Sequence, residues 1–470
     1  MAHSLAKETL RVSKPLQSRL SQSSLPCTSR LVSSATSPPS SPPPPLPRIA
    51  IVGGGPAGLT LGALLHRRRI PFTLFEYRPE PTAAAASWAL PSGMLDLHEG
   101  DGLRAIRACG LYDEFLPLTG ECSEEFVLAD KRGTRVNVHS GGGGGEGHDE
   151  RARPEISRNS LTRLLLSRIP PESVRWGHKL QTAEYTEGNG VTRLDFGGSS
   201  GSSDEHEFDL VVGADGAWSR VRTLLTRARP RYSNTQIVTA TIRHITQKYP
   251  ALAALVGSGT FSALGDRHAV ITQRGPMDSA RVHVWLTTTD EKLGVTTGLS
   301  RKPPTEAKAV LFDNNNYKFL GGFGPVVKHL VVTALVEEQH DNPGGVLDIR
   351  PLYALPYGTR WTSRRGLALI GDAAHVMLPN GEGVNQAMLD ATLLAEAVAE
   401  AWKERSNGGG GARRERFGDV LSLKVAAFER DMTERALKVG EETDQLLGVM
   451  LGPDAVSAMV EFFKKMQEEQ

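Results

Sequence analysis

The sequence of 470 residues predicts an α/β protein with a Rossmann-like domain, a second domain built on a β-sheet, and a long C-terminal helix. Three observations predict this fold. A glycine-rich segment follows a short apolar run near residue 50, and two later apolar runs end in small residues and an acid. Between residues 229 and 347, apolar and polar residues alternate as they do in strands.

The glycine-rich segment, residues 53–58, reads GGGPAG and directly follows the apolar run Ile49–Val52. Gly53 would make a tight turn, Gly55 would let backbone amides approach a pyrophosphate, and Gly58 would let a helix pack on the strand. The helix is expected from about residue 56 to 68, with its N–H groups facing the phosphates. A second apolar strand then ends at Glu76, whose carboxylate suits ribose hydroxyls. This order predicts a dinucleotide site.

The two later apolar runs end at Asp215 and Asp372. Asp215 is followed by residues 219–222, which we expect to open a helix, and Asp372 suits both a helix cap and a ligand hydroxyl. Each segment alone is also compatible with a capped turn and nothing more. Together they favour FAD over NAD, because FAD is long enough to need later segments for its ribityl chain and flavin. No His or Cys in these segments is placed for a covalent link, so we expect noncovalent binding.

These segments, with Pro379 and the loop at 381–385, resemble the motifs of single-component FAD-dependent aromatic hydroxylases. Residues 95–100 and 154–159 further resemble tetracycline-inactivating flavin monooxygenases and their fungal relatives, and the resemblance extends from about residue 48 to 470. It implies the aromatic hydroxylase fold, with a GR2-type FAD-binding domain. The residues that we expect to bind FAD are Gly53, Gly55, Ala57, Gly58, Glu76, Asp96, Arg158, Asp215, Asp372, Gly383, Val384 and Asn385.

The resemblance implies a monooxygenase that uses NADPH or NADH and O₂ to hydroxylate an aromatic or polycyclic, polyketide-like small molecule through a flavin hydroperoxide. Secondary metabolism or modification of a xenobiotic or antibiotic would be its setting. Baeyer–Villiger insertion and epoxidation use the same chemistry and stay open. A flavin-fold binding protein without catalysis is the alternative from another class.

Strands of the second domain are predicted at 236–243, 267–274, 281–289 and 329–336. Alternation places His283 and Trp285 on one face of their strand, where His283 could line a cavity or face solvent. The resemblance implies that Arg267 and His283 contact substrate, so both are the catalytic candidates. Thr239 stands where the family has a glutamine, which argues for a different substrate. Glu382 replaces a usual amide near the flavin, and we expect it to face solvent.

The domain boundaries follow from these segments. Residues 1–47 form a Ser/Pro-rich tail that we expect to be disordered. The FAD-binding domain comprises 48–112, 151–228 and 348–404, and the substrate domain comprises 113–150 and 229–347. The segment 405–470 is helical, with an amphipathic helix from about 417 to 447.

The composition excludes several classes of partner. A formal net charge of +1 offers no broad field for nucleic acid, and no apolar run approaches the roughly 20 residues of a membrane span. Three cysteines without ligand spacing argue against a disulfide framework or a metal site. We expect a cytoplasmic protein. The basic, Ser-rich N-terminus leaves a mitochondrial location as an alternative, and the oligomeric state is open, with a monomer compatible.

Overall fold

A computed structural model describes residues 46–81, 92–119, 122–139, 154–188, 190–198, 204–315, 318–405 and 412–468. Up to residue 45, the expectation for the N-terminal tail lies outside this part of the chain. The strands are β1 (Ile49–Val52), β2 (Thr73–Glu76), β3 (Met94–Asp96), β4 (Phe126–Asp130), β5 (Arg135–His139), β6 (Glu155–Ser157), β7 (Val174–Trp176), β8 (Thr182–Thr186), β9 (Val191–Asp195), β10 (Glu205–Phe208), β11 (Leu210–Gly213), β12 (Arg231–Ile242), β13 (Thr260–Gly265), β14 (His268–Gly275), β15 (Ser279–Thr287), β16 (Asp348–Ala354) and β17 (Leu367–Leu369).

The α-helices are α1 (Pro56–Arg67), α2 (Gly102–Cys109), α3 (Tyr112–Phe115), α4 (Arg158–Leu166), α5 (Ile245–Lys248), α6 (Pro250–Val256), α7 (Leu293–Thr296), α8 (Ala307–Leu311), α9 (Pro325–Asp341), α10 (Asp372–His375), α11 (Glu382–Glu404), α12 (Ala412–Met450) and α13 (Ala455–Glu468). Short 3₁₀ turns lie at Leu116–Leu118, Pro171–Ser173, Val221–Leu224, Leu299–Arg301 and Pro304–Glu306. None of the helices in the described ranges is both long and apolar enough to cross a membrane.

A parallel sheet of five strands, in the order β17-β11-β1-β2-β7, positions the nucleotide motifs. Ile49 pairs with Leu210, and Val211 pairs with Leu367, so segments far apart in sequence become neighbours. All residues of β1 and β11 are buried, as expected for a sheet covered on both faces. Because the strands are parallel, their carboxyl ends share one edge of the sheet, and the turns that follow them meet there.

Helices α1, α11 and α12 pack in the core of this domain. The buried side chains of α12 include Phe417, Leu421, Val425, Phe428 and Met432, at the three- and four-residue spacing of one helix face. The helix is longer at both ends than the expected 417–447. Helix α13 follows it and was not singled out from the sequence.

A second sheet of seven strands has the order β16-β12-β15-β14-β13-β4-β5. Its pairs are antiparallel apart from the parallel pair of β13 and β4. Strand β16 belongs to this sheet. The sheet of the substrate domain therefore extends one strand beyond the expected boundary between residues 347 and 348.

The strand predicted at 329–336 is wrong, because these residues lie within helix α9. The helix begins at Pro325, directly after Gly324. The first position of a helix is favourable for proline. Leu330, Val331 and Ala334 are buried at helical spacing against the apolar face of the seven-stranded sheet. The β-branched residues of this segment favoured a strand locally, but burial of the sheet face requires the helix.

Candidate active site

A cavity of about 720 Å³ is lined by both sheets' elements. Its walls include Gly55, Ala57, Asp96, Arg158, Asp372, Gly383 and Val384 from the cofactor motifs, and Ile237, Ile271, Gln273, Arg281, His283, Trp285 and Arg350 from the seven-stranded sheet. This volume lies in the range of small-molecule and cofactor sites. The cavity therefore joins the expected FAD residues to the expected substrate sheet.

The turn after β1 borders this cavity through Gly55, Pro56 and Ala57. Gly53 has φ +114°, and a Cβ there would lie 2.1 Å from the carbonyl oxygen of Ala214. A Cβ at Gly58 would lie 2.0 Å from the carbonyl oxygen of Gly53. At Gly55, nothing lies within 4 Å of the Cβ position. The N-terminal end of α1 is thus open to a bound phosphate group, and the turn fits the pyrophosphate of a dinucleotide.

Glu76 ends β2 beside this turn and is 2 % exposed. Its Oε2 accepts a hydrogen bond of 2.7 Å from the Gly54 N–H, and its Oε1 accepts one of 3.0 Å from the Arg78 N–H. A carboxylate has about four acceptor positions. Because Arg78 Nε also lies 3.3 Å from Oε1, the acceptor position left for a ribose hydroxyl is on Oε2. Glu76 therefore holds the glycine-rich turn in place, and its contact with the adenosine ribose stays a prediction.

Asp372 and Arg158 line the cavity, and both side chains are exposed. Burial among protein groups raises the pKa of Asp372, while the positive charges of His375, Arg158 and Arg222 oppose the rise. Burial also lowers the pKa of the Arg158 guanidinium. The cavity wall thus contains both a carboxylate, Asp372, and a guanidinium, Arg158. Such a pair suits the hydroxyls and the charged edge of a flavin.

Asp215 has a different role from the expected cofactor contact, because its carboxylate closes its own turn. Its Oδ1 accepts from the Ser219 hydroxyl at 2.5 Å, and its Oδ2 accepts from the N–H groups of Arg220 (2.7 Å) and Val221 (3.3 Å). The segment forms only a 3₁₀ turn at Val221–Leu224, which corrects the expected helix. The neighbouring Ala214 and Gly216 line the cavity instead.

The start of α11 presents Gly383 and Val384 to the cavity. Asn385, by contrast, is fully buried behind this lining. Its Oδ1 accepts from the His98 N–H at 2.9 Å, and its Nδ2 donates to the carbonyl oxygen of Asp96 at 3.0 Å. Asn385 thus holds the strand that carries Asp96 against α11, and its effect on a cofactor is indirect.

Glu382 is half-buried and paired, which corrects the expectation that it faces solvent. Its carboxylate lies 3.4 Å from His98 Nδ1, while Asp96 lies 3.0 Å from His98 Nε2. Hydrogen bonds from the imidazole to Asp96 and then to Glu382 raise the pKa of His98 to about 9. The helix begins at Glu382, two residues before the expected Val384. His98 is therefore protonated at neutral pH. Its positive charge compensates the negative charge of Glu382, which stands where an amide is usual.

A buried ionic network lies behind Asp372. Asp390 of α11 is 0 % exposed and accepts hydrogen bonds from the Gly371 N–H (3.0 Å) and from Arg435 Nη2 (3.1 Å). Its Oδ2 also lies 2.6 Å from His375 Nε2. Burial lowers the pKa of His375, but the charge of Asp390 outweighs it and the net shift is upward. The network connects helix α12 to the turn that positions Asp372.

The seven-stranded sheet presents a face of three cross-strand rows to the cavity. The rows are Gln273, Arg281 and Thr241; Ile271, His283 and Thr239; and Ala269, Trp285 and Ile237. Arg350 of β16 pairs in register with Ile237 and extends the third row. The intervening residues Val282 and Val284 are buried on the opposite face in an apolar core. The alternation expected for His283 and Trp285 is therefore present.

The structure separates the two expected substrate contacts. His283 lines the cavity, and its Nδ1 lies 3.2 Å from the Thr239 hydroxyl. Burial, with the charges of Arg281 and Arg350, lowers the pKa of His283 to about 3, so the ring is neutral. Arg267 is exposed in the turn between β13 and β14, with φ +65°, and does not line the cavity. The expectation for Arg267 is corrected, because β14 begins one residue later, at His268.

Arg281, Gln273 and Arg350 line the cavity but were not singled out from the sequence. The signal for Arg281 was available, since it lies two residues before His283 and alternation places both on one face. Gln273 and Arg350 depend on the pairing of β14 and β16, which strand periodicity alone does not reveal.

Comparison with known proteins gives three findings. A family model described as FAD binding domain matches residues 48–309 and 328–410. The monooxygenase penA of Penicillium thymicola is 35 % identical over 421 residues, which cover 83 % of this chain and 92 % of penA. The monooxygenase asqM of Emericella nidulans is 34 % identical over 430 residues, covering 84 % of this chain and 94 % of asqM.

Among solved structures, Klebsiella pneumoniae HpxO in complex with FAD and uric acid superimposes with a TM-score of 0.61 at 17 % identity. The match covers 90 % of this chain and 92 % of that chain. It confirms the fold class: a Rossmann-like domain with a β-sheet domain and a helical C-terminal region.

Proposed function

Because the chain belongs to the FAD-binding-domain family of flavin-dependent monooxygenases, we propose that it uses NAD(P)H and O₂ to hydroxylate a flat aromatic or polycyclic small molecule, such as a polyketide. Family membership favours catalysis over a binding protein without chemistry. The proposal is based mainly on one observation: Asp372 and Gly383 line the same cavity as His283 and Trp285. A substrate on the sheet face would lie against the cofactor residues.

FAD, when bound, supplies the electron transfer and O₂ activation that amino-acid side chains do not provide. The residues present fit this cofactor. The turn at residues 53–58 and the N-terminus of α1 would hold the pyrophosphate, Glu76 the adenosine ribose, and Asp372 hydroxyls at the flavin end. The N-terminal end of α11, with open space beside Gly383, would stabilise negative charge on the flavin side of the cavity.

The sheet face would bind and orient the substrate. Ile271, Trp285 and Ile237 offer apolar surface for the faces of a flat ring and exclude water from it. His283, with a pKa of about 3, is a neutral hydrogen-bonding group and not a general acid at neutral pH. In HpxO, a flat heterocycle, uric acid, is bound together with FAD, which supports a ring-shaped substrate here.

The test begins with purified protein and its absorbance after denaturation. We expect a yellow protein that releases FAD and oxidises NADPH or NADH faster when a substrate is present. Incorporation of one oxygen atom from ¹⁸O₂, with product structure from NMR, would separate hydroxylation from Baeyer–Villiger insertion and epoxidation. A protein that takes up no flavin on reconstitution would overturn the proposal. Flavin uptake with no oxygen transfer to any of a panel of polycyclic aromatics would overturn its substrate class.

A further inference from the structure

Glu155, a half-buried carboxyl of β6, orients a side chain of the cavity wall. Its Oε2 lies 3.0 Å from Gln273 Nε2. An ionised carboxylate only accepts hydrogen bonds, so this contact requires the amide N–H₂ group of Gln273 to face Glu155. The amide oxygen of Gln273 is then directed away from Glu155. Since Gln273 lines the cavity, a hydrogen-bond acceptor is presented to a bound substrate.

Arg281 places donors beside that acceptor. It is the direct cross-strand partner of Gln273 on the same sheet face, and such partners have Cβ atoms about 5 Å apart. Its Nη1 donates to the Thr241 hydroxyl at 3.3 Å, which orients the guanidinium along the first row of the sheet face. A guanidinium has five N–H donors and no acceptor. The first row therefore places one acceptor next to a side chain that can only donate.

We propose that Gln273 and Arg281 form a recognition site for a ring lactam or its hydroxy-imine tautomer, in which an N–H or O–H donor and an oxygen or nitrogen acceptor are adjacent. The donor of the substrate binds the Gln273 oxygen, and its acceptor binds Arg281. This inference rests on the proposed function and names its substrate class. Glu155 is a positioning residue that acts through Gln273.

The rest of the sheet face suits the remainder of such a substrate. Trp285 lies four residues from Arg281 along β15, which corresponds to about 13 Å in an extended strand. Two to three fused rings would reach from the first row, past the neutral His283, to Trp285 and Ile237. The polar recognition site lies at one end of this path and apolar surface at the other.

The ionisation of Glu155 makes this site dependent on pH. Burial raises the pKa of Glu155 to about 7. The charges of Asp96 and Glu124 contribute to this rise, and hydrogen bonds with Cys122 and Gln273 oppose it. Above pH 7 the carboxylate fixes the amide as described. Below pH 7 the protonated carboxyl can donate to the amide oxygen, which turns the N–H₂ group toward the cavity and opposes a lactam N–H.

The experiment uses the FAD-loaded protein and two probes of equal shape. Isoquinolin-1(2H)-one carries the lactam, and isocoumarin replaces its N–H by a ring oxygen. Binding is measured from the change in the flavin absorption spectrum at pH 8. We expect the lactam to bind about 10-fold more tightly than the lactone, as one hydrogen bond to a buried group predicts. Equal affinity for the two probes, or no binding of the lactam, would overturn the proposal.

Variants then locate the effect. Gln273→Leu should bring the affinity ratio of the two probes to about 1, and Arg281→Met should weaken the lactam by about 10-fold. Arg267→Met is the matched control, because this arginine is exposed and outside the cavity, and it should change neither affinity. An unchanged ratio in Gln273→Leu would overturn the assignment of the donor contact, and an unchanged lactam affinity in Arg281→Met would overturn that of the acceptor contact.

Glu155→Gln tests the positioning role. In the parent protein, lactam affinity should fall as the pH decreases from 8 to 6, whereas in Glu155→Gln it should be the same at both values. An identical pH profile in the parent and the variant would contradict the role of Glu155. Flavin content is recorded for every sample, so a failure of FAD binding, which concerns the proposed function, is distinguished from a failure of lactam recognition.

Discussion

Glu76 and Asp372 lie at the carboxyl edge of the parallel sheet, but their carboxylates differ in the groups that they contact. Glu76 accepts hydrogen bonds from two backbone N–H groups, whereas Asp372 faces the cavity. We therefore expect removal of Glu76 to affect both the fold and FAD binding, and removal of Asp372 to affect mainly FAD binding. This difference separates two variants that a sequence motif alone would treat alike.

We expect Asp372→Ala to weaken FAD binding by about 1–3 kcal/mol, the cost of leaving buried hydrogen-bonding groups unpaired. The melting temperature of the FAD-free protein should change little. Glu76→Ala should weaken FAD by a similar amount and also lower the melting temperature of the FAD-free protein, because Gly54 and Arg78 lose their acceptor. Fluorescence titration with FAD and thermal unfolding measure both quantities. Unchanged FAD affinity in both variants would place the cofactor elsewhere.

His283→Ala should raise the KM for substrate or divert NAD(P)H oxidation into hydrogen peroxide, with normal FAD content. A substrate that is poorly oriented loses oxygen transfer before it loses flavin reduction. Arg267→Ala, at the exposed turn, should leave KM and coupling unchanged. The ratio of product to NAD(P)H consumed is the measurement. Normal coupling and KM in His283→Ala would exclude this ring from substrate binding.

The ion pairs of His98 with Asp96 and Glu382 predict a pH-dependent contribution to stability. The pKa of His98 is raised from 6.5 to about 9, so the folded protein binds this proton more tightly than the unfolded chain. The stabilisation is complete below pH 6.5 and is lost as the pH rises through 9. The difference in melting temperature between the parent and His98→Asn should therefore shrink between pH 6.5 and 9.5. A constant difference over this range would contradict the protonated state of His98.

At single positions, sequence reasoning succeeded where the constraint is local. Gly53 and Gly58 are required by backbone contacts within one strand-turn-helix unit, and these could be read from their spacing. Arg267 could not be placed in this way, because a shift of one residue in the start of β14 moves it from the sheet face to a turn. Residue types also did not reveal that Asp215 caps its own turn.

At the scale of elements, helix α12 supports the turn before Asp372 through the side chain of Arg435. This side chain donates to Asp390 at 3.1 Å and to Gln386 Oε1 at 2.9 Å. Asp390 in turn holds Gly371, directly before Asp372. The long helix thus supports the cofactor turn as well as the domain core.

Replacing Arg435 by Met should leave the buried Asp390 charge less compensated and lower the free energy of unfolding by about 3 kcal/mol. FAD affinity should fall with it, because the Gly371 turn loses support. Arg430→Met on the same helix, where the side chain is exposed, is the control and should stay within about 0.5 kcal/mol. Chemical denaturation and FAD titration of both variants test this. Equal stability of the two variants would show that the ionic network around Asp390 does not contribute to the stability of the fold.

Elements with a strong local signature were predictable, and those set by packing were not. Helix α1 follows from its glycines and Pro56, and α12 from its amphipathic spacing. Helix α9 was predicted as a strand, because its run of Leu, Val and Ala has no clear period until the sheet it covers is known. Strand β16 was missed because its partner, β12, lies far away in sequence.

At the scale of the whole molecule, two sheets of different kinds share one cavity. The parallel sheet collects the cofactor motifs at its carboxyl edge, and the seven-stranded sheet supplies a flat wall with three rows of side chains. The first arrangement could be inferred from three ordered motifs. The second depends on strand register, which only the folded structure gives.

The parallel sheet also has a consequence for biosynthesis. Strand β1 is made long before its neighbour β11 and the next strand β17, and Arg435 is made later still. A growing chain would therefore have no complete site for FAD until the segments up to Arg435 have been translated. Capture of the cofactor then becomes a late step of maturation, and it would favour the finished fold by mass action. The supply of FAD in the cell would accordingly influence how much newly made protein escapes degradation.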